Sequence, residues 1–174
     1  EKMEEFDPDM DQMLFYLPLS GSTFKKVYYD EAKGRPVSKF VAAQDVVVPY
    51  TATDLATSPR ITHVLKMSDN EVRKAQISGM YRDIELADAG EGGIDSVEKK
   101  VDELQGISRT YKDEIRTVLE IHSVMEIEGF EDKDEQGELT GIKIPYIVTL
   151  DKSSGDVLSI RKNYAEQDPL KQTI

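Results

Sequence analysis

The chain has 174 residues, of which 39% are hydrophobic and 32% charged, as is ordinary for a globular protein with a core of its own. Its 34 acidic and 22 basic side chains give a net charge of −12. This charge argues against nucleic-acid binding, because the affinity of proteins for nucleic acid comes mainly from Lys and Arg side chains at the phosphates. The sequence contains no cysteine, which excludes disulfides and thiolate sites and fits a reducing cytoplasm. No apolar run approaches the ~18 residues of a membrane helix.

The first half of the sequence predicts a helix, four strands and a second helix. In order, these elements cover residues 9–17, 23–30, 36–41, 45–48, 61–67 and 69–78. Pro18 is expected to end the first helix, for which a strand over 14–17 is the alternative. The β-branched strand before Pro49 is expected to be buried.

The second helix carries signals at both ends. Ser68 lies three residues before Glu71, which is the spacing of a capping box. Gly79 is placed to end the helix in the left-handed conformation. The expected buried face of this helix carries Val72, Ala75 and Ile77. Residues 80–86 fit either a helix or an extended chain.

The second half of the sequence predicts a linker, a helix and a meander of three strands. The predicted ranges are a flexible linker over 87–93, a helix over 94–105, and strands over 115–130, 142–151 and 156–164. A break in the alternation at Ser123 and Val124 indicates a bulge or a bend. Pro145 indicates an edge or bulge position, because proline cannot donate to a strand ladder.

These elements define an α+β fold, a mostly antiparallel β-sheet of six or seven strands with two or three short helices. The expected organisation is an N-terminal region over 1–86 and a C-terminal region over 94–174, joined by the linker. We expect the two regions to form one compact domain.

A partial calcium-loop motif lies between the last strands. Asp132, Asp134 and Gly137 match the pattern, but Gln136 stands at its fifth position. Lys143 occupies the twelfth position, where a bidentate Glu is required. A solvated hairpin loop is therefore the preferred interpretation, with a calcium-binding or adhesion-type β module as the alternative.

Two further sets of residues contain side chains that can carry chemistry. His63 and His122 lie on separate predicted strands and would have to converge with a carboxylate to form a zinc or hydrolase site, so structural roles are favoured. A basic and aromatic group of the kind used by single-strand binders comprises Lys25, Lys26, Tyr28 and Tyr29. In so acidic a chain a paired strand explains this group better. We expect no catalytic, cofactor-binding or metal site and no enzymatic activity.

Three long blocks of the sequence carry a family resemblance. They are MLFYLPLSGSTFKKVYYDEAKGRPVS, then VAAQDVVVPYTATDL followed by SPRITHVLKMSDNEVRKAQISGMYRDIEL, and finally GFEDKDEQGELTGIKIPYIVTLDKSSGDVLSIRKNY. In this order they resemble portal proteins of short-tailed bacteriophages (podoviruses) and span most of the chain. None of the blocks is a catalytic motif, so the specificity of the resemblance comes from their length and order.

The resemblance implies a ring at one capsid vertex, dodecameric when full length, through which DNA is packaged and ejected without sequence-specific binding. The implied partners are other portal subunits, scaffold or coat protein, the terminase and a tail adaptor, with no cofactor and no membrane contact. The implied locations are the virion and, during assembly, the cytoplasm of the bacterial host of a phage or prophage. Because such portals are several times longer, we expect a wing-region fragment that is monomeric in isolation.

Overall fold

The computed structural model describes residues 3–30, 33–87, 115–134 and 136–164. Within these ranges it contains two α-helices and seven strands in antiparallel sheets, so the expected α+β, mostly β fold is confirmed. The chain divides into two compact units, Glu1–Val47 and Val48–Ile174. The helix predicted over 94–105 lies outside the described residues, as does all but the first residue of the linker predicted over 87–93. None of the described helices is long and apolar enough to span a membrane.

The first unit consists of a helix packed on a hairpin. In chain order its elements are α1 (Phe6–Ser20), β1 (Thr23–Asp30), β2 (Arg35–Ala42), a short 3-10 helix (Ala43–Asp45) and β3 (Val46–Val47). The hairpin of β1 and β2 is antiparallel and in continuous register, as the sequence predicted.

The first helix is longer at both ends than predicted, and the alternative strand over 14–17 is wrong. Pro18 lies inside α1 and does not end it. Proline close to a helix end forfeits only one backbone bond, and its fixed φ suits the helix. The helix ends at Gly21, which has φ 77° and donates its N–H to Leu17 O at 2.9 Å.

The buried strand predicted over 45–48 is also wrong. Asp45 belongs to the 3-10 helix, and β3 has only two residues. Val47 and Val48 are 46% and 36% exposed. The β-branched composition favours an extended backbone, but it does not by itself decide burial.

The second unit contains four strands and one helix. Its elements are β4 (Arg60–Ser68), α2 (Asp69–Ile77), β5 (Ile115–Met125), β6 (Ile144–Asp151) and β7 (Val157–Lys162). The strands are neighbours in the order β4, β5, β6, β7, and every pair is antiparallel.

The bulge predicted within β5 is wrong. The pairing of β5 with β6 runs without a shift through Ser123 and Val124. The hydroxyl of Ser123 donates to Pro59 O at 3.1 Å. This bond explains why a polar residue stands between Ile121 and Met125 on one side of β5. A register shift lies instead between Thr149 and Leu150, where β6 pairs with β7.

Pro145 lies in an interior strand, so the expected edge or bulge position is wrong. Its carbonyl accepts from Asn163 N at 2.9 Å, one residue past the end of β7. The N and O of one residue point to the same side of an antiparallel strand. The nitrogen of Pro145 therefore points to the same side, past the last residue of β7. Its missing N–H interrupts no bond between β6 and β7.

The capping box of α2 is confirmed, whereas part of its predicted buried face is not. Ser68 Oγ accepts from Glu71 N at 3.3 Å, and Glu71 Oε2 accepts from Ser68 N at 2.7 Å. Val72 is buried, but Ile77 is 76% exposed and Gln76 only 8%. In an α-helix, a residue four positions along lies on the same side, whereas a residue five positions along does not. Gln76, four residues after Val72, therefore points to the core with it, and Ile77 points away.

Two core clusters lie on opposite faces of the second unit's sheet. The first contains Val72, Tyr81, Val118 and Leu158, and the second contains Ile144, Tyr146 and Val148. Residues 80–86 form neither a helix nor a strand, and Ile84 and Leu86 from this segment pack against the first cluster. Gly79, with φ 78°, turns the chain into this segment.

Candidate functional site

A row of buried polar residues crosses the sheet of the second unit. His63 on β4 lies directly opposite Glu120 on β5. Glu120 lies opposite Thr149 on β6, and Thr149 opposite Ser159 on β7. Each of these four residues is at most 9% exposed. Because directly opposed residues point to the same side of an antiparallel pair, the row occupies one face of the sheet.

Both histidines of the chain are associated with this row. His122 Nε2 lies 2.8 Å from Glu120 Oε1, two residues along the same strand. His63 is the cross-strand neighbour of the same carboxylate. Burial raises the pKa of Tyr81, and the charge of Glu120 raises it further, while Arg161 acts in the opposite direction. The sequence placed the two histidines on separate strands, but it could not show that these strands are neighbours.

The row consists of buried polar side chains, and among the described residues the hydroxyls of Thr149 and Ser159 have no hydrogen-bond partner. In the ranges that the structure describes, no group of three or more His, Asp or Glu side chains is arranged to hold a metal ion. A carboxylate inside a protein is costly unless it is paired or hydrogen-bonded. The contact with His122 supplies such a partner for Glu120.

A second buried cluster centres on Arg116, which sequence reasoning missed. Its Nε donates to Asp69 Oδ1 at 2.9 Å, and its Nη2 donates to Ala87 O at 2.7 Å. Its Nη1 lies 3.5 Å from Asp151 Oδ2. The side chain of Arg116 is 4% exposed and that of Asp151 is fully buried. One guanidinium thus joins the first turn of α2 to β5 and to the end of β6.

Asp151 also organises the turn between β6 and β7. Burial alone would raise the pKa of Asp151, but the hydroxyl of Ser153, the amide and hydroxyl of Ser154 and the charge of Arg116 together hold that pKa below its usual value. The Ser154 amide and hydroxyl donate to Oδ2 at 2.9 and 3.0 Å. The available signal in the sequence was an aspartate just ahead of two serines and a glycine, a typical aspartate-capped turn.

The calcium-like motif forms a hydrogen-bonded hairpin turn. Asp132 is 3% exposed and accepts from the Thr140 hydroxyl at 2.7 Å. Asp134 Oδ1 accepts from the amides of Gln136 and Glu138, both at 2.9 Å. Both carboxylates of the motif are therefore engaged within their own turn.

The same connection is fastened to the second core cluster. The hydroxyl of the fully buried Tyr146 donates to Phe130 O. Burial is the main cause that raises the pKa of Tyr146, and the neighbouring Tyr164 and Asp132 contribute. The tyrosine thus stays a neutral donor.

In the first unit, polar contacts hold α1 on β2. The guanidinium of Arg35 forks onto Glu5, with Nη1 to Oε2 at 2.6 Å and Nη2 to Oε1 at 2.5 Å. These bonds are the largest cause that lowers the pKa of Glu5 to about 2. Further along the helix, Asp9 Oδ2 accepts from Phe40 N at 3.1 Å. The carboxylate of Asp9 therefore satisfies a backbone donor of the hairpin.

The basic and aromatic group lies on β1, and its lysines point to opposite faces. Lys25 Nζ lies 3.7 Å from the ring centroid of Phe6. Lys26 Nζ lies 5.4 Å from the ring centroid of Tyr28, on the other side of the strand. The two lysines therefore do not form one continuous nucleic-acid surface, in agreement with the paired-strand interpretation.

Large apolar side chains are exposed in both units. No residue of α1 is buried. The most exposed apolar residues of the first unit are Leu14, Phe15, Leu19, Val27 and Tyr29. In the second unit they include Tyr50, Ile77, Phe130, Leu139 and Ile142. They are concentrated on α1, where Leu14, Phe15, Tyr16, Leu17 and Leu19 are all exposed, and a concentration of this kind is typical of surfaces that contact other proteins.

Comparison with protein-family models and with curated proteins finds no match for this chain. The resemblance to podovirus portals therefore rests on the three sequence blocks alone. Those blocks coincide with folded parts of the chain, since the second contains β4, α2 and the segment over the first core cluster.

Proposed function

We propose that this chain is a wing-type domain of a bacteriophage portal protein, a structural component of the ring through which DNA is packaged and ejected. The observation that carries the proposal is the presence of three long resembling blocks in the family's order, covering most of the chain. The α+β fold, mostly antiparallel sheet, is compatible with such a domain.

The surfaces of the two units support a role in assembly. Exposed aromatic and aliphatic side chains on α1, on β1 and in the β5–β6 connection provide apolar area that a ring could bury. Contacts of this kind would join the domain to neighbouring portal subunits and to scaffold or coat protein. In the full-length protein, the ring would also bind the terminase and a tail adaptor.

The buried clusters support a rigid scaffold for these contacts. The guanidinium of Arg116 ties α2 to the sheet, and the fork between Arg35 and Glu5 ties α1 to its hairpin. The proposal assigns this domain no covalent chemistry. A net charge of −12 suits a protein past which DNA slides, because like charges repel.

Sedimentation velocity tests the proposal at two chain lengths. The full-length protein that contains this chain, purified after expression in a bacterial cytoplasm, is expected to sediment as one large closed oligomer. In the phage, this oligomer would lie at the virion vertex. The 174-residue chain alone is expected to sediment as a monomer at micromolar concentration. A full-length protein that stays monomeric would contradict the proposal, and a stable ring formed by the short chain would contradict the expected monomer.

The alternative, a calcium-binding or adhesion-type β module, is separated by thermal unfolding with and without calcium. Because Asp132 and Asp134 already accept hydrogen bonds within their own turn, we expect the same melting temperature in millimolar calcium and in chelator. A clear calcium-dependent rise, abolished by Asp134→Asn, would favour the alternative.

A further inference from the structure

The outer edge of β2, on the side away from β1, is protected against further strand pairing. Phe40 N donates to Asp9 Oδ2 on α1 at 3.1 Å, so this N–H points away from β1. Because the direction alternates along an antiparallel strand, the backbone groups of Pro36 and Ser38 point to the same outer edge. Pro36 has no N–H to offer there, and Asp9 occupies the N–H of Phe40. A missing donor and an occupied donor are typical of a blunted sheet edge.

The outer edge of β1 has no comparable protection within the part of the chain that the structure describes. Val27 and Tyr29 lie directly opposite Ser38 and Pro36, so their backbone groups also point away from the partner strand. The eight residues of β1 pair with β2 without a shift, and among the described strands β2 is the only neighbour of β1. The side chains of Val27 and Tyr29 are 58% and 61% exposed. A long, regular edge strand with exposed apolar residues is a template for another strand.

The sequence of β1 is complementary to itself about Tyr28. When two copies of β1 run antiparallel with their Tyr28 residues opposed, Val27 of each copy lies opposite Tyr29 of the other. Both residues have outward-pointing backbone groups, so each such pair exchanges two N–H···O bonds. A β-branched residue opposite an aromatic one is also a favourable cross-strand pair.

Other registers of this pairing are worse. A shift by one position opposes outward-pointing to inward-pointing backbone groups, and no ladder forms. A pairing centred on Val27 opposes Tyr29 to Lys25, and a pairing centred on Tyr29 opposes Val27 to a residue beyond the end of β1. The register about Tyr28 therefore buries the two most exposed apolar side chains of β1 against each other.

We propose that two copies of this chain associate by antiparallel pairing of their β1 edges about Tyr28, which joins two hairpins into one four-stranded sheet. The pairing opposes Lys26 to Asp30 of the other copy and opposes no like charges, but it does not depend on either charge. The contact is two-fold, so it goes beyond the ring proposed above and is not the contact that closes that ring. Its small size makes it weak, in keeping with a monomer at micromolar concentration.

Amide hydrogen exchange followed by NMR tests the pairing residue by residue. The amides of Lys26 and Tyr28 point to β2 and should be protected at every concentration. Those of Val27 and Tyr29 should exchange freely in dilute solution and slow by about twofold or more at on the order of 1 mM, where a weak contact is populated. In a mixture of ¹³C-labelled and unlabelled chain, the Tyr28 Hα protons of the two copies should give a mutual nuclear Overhauser effect.

Two variants block the edge in different ways. Val27→Pro removes an outward N–H and leaves the β1–β2 ladder intact. Tyr29→Lys places a charge at the same edge and leaves the backbone unchanged. Each should lower the association constant, measured by sedimentation equilibrium, about tenfold or more. Val47→Lys is the matched control, since Val47 is 46% exposed but lies outside β1, and it should leave association unchanged. The melting temperature of each variant shows that it is folded.

Three results would overturn the inference. They are exchange of the Val27 and Tyr29 amides that does not change with concentration, protection of both amides already in dilute solution, and association that survives both edge variants. Because the contact is not part of the ring, its loss would leave the portal proposal standing. A full-length protein that forms no ring would reject the portal proposal and leave the contact standing.

Discussion

Arg116 and Asp151 lie on neighbouring strands with Arg116 Nη1 3.5 Å from Asp151 Oδ2, and both side chains are almost completely removed from water. Neither charge would be tolerated there alone, because an isolated buried ion loses its hydration. The pair is stabilised by the other bonds of the guanidinium, to Asp69 and Ala87, and by the serines that donate to Asp151. The cluster thus fixes where α2 begins relative to the sheet.

Removing one partner of this cluster should destabilise the second unit strongly. In Arg116→Met the buried Asp151 carboxylate loses its counter-charge and the carbonyl of Ala87 loses its donor, and we expect the free energy of unfolding to fall by about 3–5 kcal/mol. The matched control is Arg73→Met, since Arg73 pairs with Asp83 at the surface, with side chains 55% and 73% exposed. That variant should change stability by less than about 1 kcal/mol. Urea unfolding followed by circular dichroism measures both, and equal effects would contradict the assignment.

The contribution of the capping box can be measured by removing the side chain of Ser68. In Ser68→Ala, the amide of Glu71 loses its acceptor, so the free energy of unfolding should fall by about 1 kcal/mol. Ser78→Ala serves as the control, because Ser78 lies at the other end of α2 and bonds only to a carbonyl, Ala75 O. A larger loss in the control than in Ser68→Ala would show that the helix start is not organised by this cap.

The inward side of α2 can be tested by comparing two adjacent residues. Gln76 donates to Arg82 O at 3.1 Å and to Ile84 O at 2.8 Å, so Gln76→Ala should destabilise the protein by about 1–3 kcal/mol. Ile77→Ala should change stability by less than about 0.5 kcal/mol, since Ile77 is 76% exposed. Thermal or urea unfolding measures both variants. A larger loss of stability in Ile77→Ala than in Gln76→Ala would contradict this assignment and support the buried face expected from apolar spacing alone.

The ion pair of the first unit predicts a specific titration. Carbon-13 NMR of the Glu5 carboxyl should report a pKa of about 2, and Arg35→Gln should return it toward 4.5, because the hydrogen bonds of Arg35 are the largest cause of the shift. Lys33→Gln, which removes the most minor cause, is the control and should leave the pKa low. An ordinary pKa of Glu5 in the unaltered chain would refute the fork.

The same pair fixes the sign of a pH effect on stability. Because folding depresses the pKa of Glu5, the pair stabilises the fold above pH 4.5, and this contribution is lost as the pH falls toward about 2. Glu5→Gln should therefore flatten the loss of stability between those pH values, measured by urea unfolding at each pH. An unchanged pH profile in this variant would contradict the linkage.

Patterns confined to a few neighbouring residues predicted much of the fold. The capping box at Ser68, the left-handed glycine at Gly79 and the hairpin over 23–41 are set by local backbone chemistry, and the structure contains each of them. The errors at Pro18 and Pro145 have a common cause. Whether a missing N–H disrupts an element depends on what it faces, and that follows from the neighbouring turn or strand.

The buried polar clusters could not be predicted for a related reason. Arg116 and Glu120 are charged residues of β5, and both are buried. Only the order of the strands brings His63 opposite Glu120 and places Asp151 within reach of Arg116. Such pairings depend on contacts between distant parts of the chain, which composition and periodicity do not specify.

Electron microscopy of the full-length protein tests the central proposal most directly, with an antibody fragment bound at the exposed loop around Tyr50 as a positional label. The account predicts rings with rotational symmetry and a central hole, and a label on the outward-projecting rim of every subunit. Particles that remain monomers or compact dimers at high concentration would contradict the portal assignment. Rings labelled at the central channel would contradict the wing position.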